Sequence, residues 1–224
     1  MITADSLFDL SHFAHREIFD GVRYPWEPLG RIADYLKKNL RPGLCNRALG
    51  HPYIEDNVFI GKGSVVEEGA MIKGPAIIGE NCEIRHGAYI RGNVIVGDGC
   101  VIGNSTELKN SILLNEVEAP HYNYVGDSVL GNKAHLAAGV ICSNLKLAAG
   151  NVVVEIGGQK VDTGLRKFGA LVGDGAQVGC NSVLNPGSIL GRGSILYPVT
   201  HWRGVLEAGR IVKTLPATQI VEKR

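Results

Sequence analysis

Residues 54–108 read IEDNVFIGKGSVVEEGAMIKGPAIIGENCEIRHGAYIRGNVIVGDGCVIGNSTEL, and the aliphatic residues Ile54, Ile60, Val66, Ile72, Ile78, Ile84, Ile90, Val96, Ile102 and Leu108 fall on every sixth position. Four residues after each of the first nine stands a small or β-branched side chain, among them Val58, Ser64, Ala70, Cys82, Ala88 and Cys100. A helix repeats near 3.6 residues and a strand at 2, so a period of six with two specified inward positions describes a short strand and a corner. That is the hexapeptide unit of a parallel β-helix. Three sides make a coil of about eighteen residues, and neighbouring coils stack at roughly 4.8 Å.

Outward from this stretch the register lapses after Leu108 and returns at Tyr124, Leu130, Leu136 and Cys142, with Ser128, Ala134 and Val140 as small partners. It lapses again and resumes at Val172, Val178, Leu184, Leu190 and Leu196. Counted this way the chain has nineteen sides, or roughly six coils and a prism about 30 Å tall. The lapses predict two insertions, a polar loop over about 115–123 (NEVEAPHYN) and a longer one over 143–167. In the second, Gly157-Gly158 between NVVVEI and QKVDT predicts a β-hairpin. Its Val152, Val154, Ile156 and Val161 are available to pack on a neighbouring subunit or over a ligand groove. Residues 1–50 lack the repeat. Leu29, Ile32, Ala33, Leu36 and Leu40 follow helical spacing, closed by Pro42-Gly43, which predicts a helical cap over the first coil. The expected organisation is a mainly β chain with an N-terminal α-helical cap or linker (1–50), a β-helix (51–205) and a C-terminal tail (206–224).

Composition sets further bounds. The 224 residues include 30 glycines, in keeping with a chain that turns constantly, and the formal net charge of +1 gives no support for nucleic-acid binding. No run of eighteen apolar residues occurs, and MITADSLFDL carries acids where a secretory signal carries bases, so a cytoplasmic protein without membrane contact is expected. The five cysteines lack metal-site spacing and no metal is expected; Cys82, Cys100 and Cys142 fall on inward positions and read as buried small hydrophobes.

The period also yields a column of charge. The residue after each large inward position points outward, and every third unit returns to one side, which stacks Glu55, Lys73, Arg91 and Lys109. Three cations at ~5 Å spacing either form a solvated stripe with splayed charges or hold an anion such as phosphate.

Just beyond Lys109 lies APHYNYVGDSVLG (119–131), where His121, Tyr124, Gly126 and Asp127 reproduce a His-x-x-Tyr-x-Gly-Asp pattern. Here the sequence resembles the C-terminal acetyltransferase domain of bifunctional N-acetylglucosamine-1-phosphate uridyltransferase/glucosamine-1-phosphate N-acetyltransferase, a left-handed parallel β-helix of hexapeptide repeats that works as a homotrimer. The likeness covers about 50–145 and 168–200. It does not extend to the nucleotidyltransferase half, and Tyr24-Pro25-Trp26-Glu27 with the helix after it resembles the segment joining the two halves.

The resemblance implies acetyl transfer from acetyl-CoA to the amine of an amino-sugar phosphate such as glucosamine-1-phosphate, in UDP-N-acetylglucosamine biosynthesis. It makes His121 the general base. Arg91, Lys109, Tyr124 and His135 become acceptor ligands, and Ala138, Asn144 and Cys180 line the acetyl-CoA groove between subunits. Imidazole suits the proton transfer, and the Arg fork and Lys point charge suit a phosphate. Several positions depart from the pattern. His135 stands for a substrate-contacting Asn, Ser143-Asn144-Leu145-Lys146-Leu147 for Cys-Asn-Tyr-Asp-Gly, and Tyr197, Trp202 and Arg203 for small residues along the pantetheine channel. Arg210 and Lys213 are either partners for coenzyme A phosphates or plain surface charge. The alternative is a non-catalytic, sugar-nucleotide-binding β-helix that partners a separate nucleotidyltransferase.

Overall fold

A computed structural model describes residues 2–214. The chain forms a left-handed parallel β-helix with three walls, of nine, nine and eight strands, and a separate two-stranded sheet. Wall one runs from Gly43–Leu44 through Val58–Ile60, Ala76–Ile78, Val94–Val96 and Ser111–Leu113 to Val205–Leu206. Wall two begins at Arg47–Ala48 and ends at Ile211–Val212, and wall three runs from Tyr53–Ile54 to His201–Trp202. The stack has about nine coils rather than the six counted from sequence, and on strand spacing it is roughly 40 Å tall. It starts at Gly43 and reaches Val212, so both boundaries expected at 51 and 205 move outward; residues 215–224 of the expected tail lie outside the described residues.

The period is the core. Ile60, Val66, Ile72, Ile78, Ile84, Ile90, Val96, Ile102 and Leu108 are sealed from solvent, each above its counterpart in the preceding coil. Fully burying one such side chain contributes about 1.5–3 kcal/mol. Cys82, Cys100 and Cys142 are also sealed, and burial pushes the Cys142 thiol up to about 12, which keeps it an inert hydrophobe.

One expected insertion is absent. Residues 115–123 do not bulge: Glu118–His121 is a regular strand of wall two, with Ile102 facing Ala119 and Asn104 facing His121. The preceding side has five residues, from Leu108 to Leu113, and the next short side runs from Val125 to Leu130. A strict count of six loses the register at the first and regains it one residue off. In consequence Val125, and not Tyr124, fills the inward slot above Leu108. The second insertion is real. Val153–Ile156 and Gln159–Asp162 pair antiparallel around Gly157-Gly158, whose φ values of 56° and 79° suit a two-residue hairpin turn.

The outside of wall one is apolar. Ile77, Ile95, Ile112, Val129, Leu171 and Ile189 form a continuous outward column, and residues 2–40 lie along it. This strap comprises a short helix α1 (Ala4–Leu7), two 3-10 turns and a helix α2 (Ile32–Asn39), and it buries Phe8, Phe13, Phe19, Trp26, Leu29, Ile32 and Leu36. The helix predicted from Leu29 to Leu40 therefore forms, but its segment covers a side of the prism and not its end. Corner residues of successive coils hold it. Asp174 accepts the Asp9 backbone N–H at 2.6 Å, Asn132 donates to the Asp9 carbonyl at 2.8 Å, and Asn115 donates to the His12 carbonyl at 2.9 Å. The hairpin completes the cover, with Val152 and Val154 buried beside Ile189 and Phe168 packed on Trp26, so it lies on wall one of its own chain and away from any groove on the other walls. Among the described residues no helix is long and apolar enough to cross a membrane.

Trp26 is the largest fully buried side chain and couples strap to hairpin. Trp26→Ala is expected to lower unfolding stability by about 3–5 kcal/mol in chemical denaturation. A loss below about 1 kcal/mol would show that the strap does not share the core's cooperativity.

Candidate functional site

With wall one covered, the chemistry-bearing side chains gather on wall three and along its two edges. Arg91 and Lys109 stand one coil apart on wall three, the Arg91 N–H donating to the Leu108 carbonyl at 2.9 Å; Lys73 stands a coil below, its N–H on the Ile90 carbonyl at 2.8 Å. The cations stack as the period requires, but they do not face one another unaccompanied. Lys73 lies over the Tyr89 ring, 5.5 Å from its centroid. Arg91 donates to Glu107 Oε1 at 2.8 Å, and this carboxylate holds the guanidinium firmly in its charged form. Lys109 Nζ donates to Asp127 Oδ2 at 2.9 Å.

Asp127 is the most enclosed charge of the group, its side chain 6% exposed against 32% for Glu107. Besides Lys109 it accepts from Asn110 Nδ2 at 2.9 Å and from Asn144 Nδ2. Its backbone sits in the left-handed region, φ 48°, with its N–H on the Lys109 carbonyl at 2.9 Å. Neighbouring Gly126 is a glycine for a local reason: a Cβ there would come within 2.6 Å of the Tyr124 hydroxyl and 2.7 Å of Asn144 Nδ2. The Tyr124 side chain thus lies across wall three over Gly126. Burial, reinforced by Glu107 and Asp127, raises its pKa, so the phenol stays protonated and available as a donor at neutral pH.

The opposite edge of wall three, its corner with wall two, carries His121, Ala138 and Cys180 in line. The Gly139 N–H donates to the His121 carbonyl at 3.0 Å, and the Asn181 N–H to the Ala138 carbonyl at 2.8 Å. His121 is exposed at the end of its strand, its backbone N–H anchored on Asn123 Oδ1 at 3.1 Å, and its imidazole hydrogen-bonds to no described residue. Asn123 is itself buried and tied to Thr106 and the Ala137 carbonyl, which fixes the corner beneath the imidazole.

The eight residues expected at the site therefore separate within one chain. Arg91, Lys109 and Asn144 lie at one edge of wall three, His121, Ala138 and Cys180 at the other, with Tyr124 between them. His135 is apart on the outer surface of wall two, its Nδ1 2.7 Å from Glu118 Oε2. A groove of about 320 Å³ beside it is lined by Ala137, Gly179, Ile195, Tyr197 and Pro198. Sequence reasoning missed Glu107 and Asp127 as members of the cluster. The signal was present, since Glu107 shares a strand with Lys109 and Asp127 follows the residue stacked on Lys109.

Comparisons with known proteins agree with this architecture. The family described as GMPPB C-terminal domain matches residues 72–163, and that described as hexapeptide repeat of succinyl-transferase matches 53–74. A bifunctional protein GlmU of Methanococcus maripaludis (strain C7) is 42% identical over 184 residues, covering 80% of this chain and 43% of the relative. A bifunctional sugar-1-phosphate nucleotidylyltransferase/acetyltransferase of Sulfurisphaera tokodaii is 34% identical over 88 residues, 39% of this chain and 22% of the relative. A hexapeptide transferase family protein from Anaplasma phagocytophilum matches structurally with a TM-score of 0.35 and 20% identity, over 74% of this chain and 76% of that one. The chain belongs to the GlmU-like hexapeptide-repeat acyltransferase family. It spans less than half the length of these curated relatives.

The two ion pairs differ in enclosure, and so in their worth. Lys109→Ala leaves the Asp127 carboxylate buried without its cation and is expected to cost about 3–5 kcal/mol. Arg91→Ala removes an exposed pair and is expected to cost at most about 1 kcal/mol. Equal losses in urea titrations would contradict the different standing of the pairs.

Proposed function

We propose that the protein transfers an acetyl group from acetyl-CoA to the amine of an amino-sugar phosphate such as glucosamine-1-phosphate. The observation that carries this reading is the exposed His121 imidazole on a rigid corner, at the opposite edge of wall three from the stacked Arg91 and Lys109, with the Tyr124 phenol lying between. An amino-sugar phosphate has the same layout, an anion at one end of a rigid ring and an amine toward the other.

In the reaction the acceptor's phosphate docks at the Arg91–Lys109 edge and its hydroxyls meet Tyr124 and Asn144. His121 accepts the amine proton as nitrogen attacks the thioester carbonyl. The C–N bond forms, the C–S bond breaks, and coenzyme A leaves as its thiol. The small residues Ala137, Ala138 and Gly179 give an extended pantetheine arm room along the neighbouring groove, in which Tyr197 and Pro198 form the far rim. One chain supplies only an open surface at this place, so a neighbouring copy is needed to exclude water, as in a homotrimer. Light scattering near 72 kDa, three times the 24.0 kDa chain, supports that assembly.

A second reading, a sugar-nucleotide-binding β-helix that serves a separate nucleotidyltransferase, is favoured by the match of residues 72–163 to a GMPPB C-terminal domain and by the carboxylate already paired with each cation.

Thiol release from acetyl-CoA with glucosamine-1-phosphate separates the two. The wild type is expected to turn over and His121→Ala to lose roughly 10²–10⁴-fold in kcat while keeping its unfolding midpoint. Identical background rates for the two proteins would favour the binding role.

A further inference from the structure

We infer that the two stacked cations divide their work: Arg91 exchanges its carboxylate for the acceptor's anionic group, whereas Lys109 stays bound to Asp127 and acts as a positioning residue. This rests on the proposed sugar-phosphate site but assigns roles that the stacking alone leaves equal. The asymmetry lies in what each cation would leave behind. Arg91 is paired to Glu107 at 2.8 Å with side chains 43% and 32% exposed, so a released Glu107 is rehydrated at little cost. Lys109 is paired to a carboxylate that is 6% exposed, and withdrawing it strands a charge that water does not reach.

Asp127 has every reason to stay put. Lys109, Asn110 and Asn144 converge on its two oxygens, and its left-handed backbone is fixed by the Lys109 carbonyl. One carboxylate thereby sets the Asn144 amide beside the Tyr124 hydroxyl above Gly126. The Arg91–Glu107 pair answers to an anion, and the Asp127 clasp shapes the floor on which the rest of the sugar rests.

Charge counting leads to the same division. Arg91, Glu107, Lys109 and Asp127 sum to zero, and a phosphate enters without a charge penalty only where a carboxylate is displaced. Glu107 is the carboxylate that is free to move.

The test compares glucosamine-1-phosphate with glucosamine, by calorimetric binding and by turnover, and adds inorganic phosphate as a ligand in thermal unfolding. Arg91→Gln is expected to weaken glucosamine-1-phosphate at least tenfold, chiefly in KM, to leave glucosamine unchanged, and to abolish protection by phosphate. Asp127→Asn and the doubly neutral Lys109→Gln/Asp127→Asn are expected to weaken both sugars by the same factor and lower kcat, with phosphate protection retained. The double variant avoids an unpaired buried charge, and the single variant keeps Lys109 should the double fail to fold. Loss of phosphate protection in the double variant, at unchanged protection in Arg91→Gln, would overturn the division. Phosphate protection that depends on Arg91 in a wild type that releases no thiol would sink the acetyl-transfer reading alone. No phosphate or sugar-phosphate binding by the wild type would sink both.

Discussion

One aliphatic side chain resting on another in the coil beneath is the contact from which the rest of this protein follows. The column from Ile60 through Leu108 is fully enclosed, and each member is covered only because the next coil arrives in register. A coil by itself encloses nothing, so cohesion is distributed along the axis. The same registration forces outward residues into columns, and a sequence that alternates correctly inside has its surface chemistry stacked as a by-product.

That by-product creates an electrostatic difficulty which the chain meets locally. Cations on adjacent coils of wall three repel at ~5 Å, and the structure interleaves them with an aromatic face and two carboxylates. The two carboxylates differ chiefly in exposure, and enclosure, more than distance, separates an exchangeable pair from a fixed one.

Much of this was legible in the residues. The six-residue period fixed the β-helix, the inward cysteines and the stacking of Arg91 on Lys109, and Gly157-Gly158 marked the hairpin. What escaped did so for definite reasons. The five-residue sides ending at Leu113 and Leu130 satisfy the same core geometry as six but break a fixed count, which turned the strand bearing His121 into an imagined loop and aimed Tyr124 inward in place of Val125. The strap was taken for an end cap because only inward positions were scanned. Every third unit is also apolar one residue before its large inward member, as at Ile77, Ile95 and Ile112, and that outward column is what the strap needs. Partners of the cations were missed because the column was read along one position, whereas Glu107 and Asp127 enter from the positions beside it.

The sealing of wall one has a geometric consequence. A three-sided rod whose sides were all open to its own kind has the valence to spread as a two-dimensional net. Here the chain's own first forty residues occupy one side, tethered at Asp174, Asn132 and Asn115. Two sides remain, and a body with two unlike sticky sides meets two neighbours, the connectivity of a closed ring. By spending its N-terminal segment on itself, the molecule trades an unlimited tiling for a countable one.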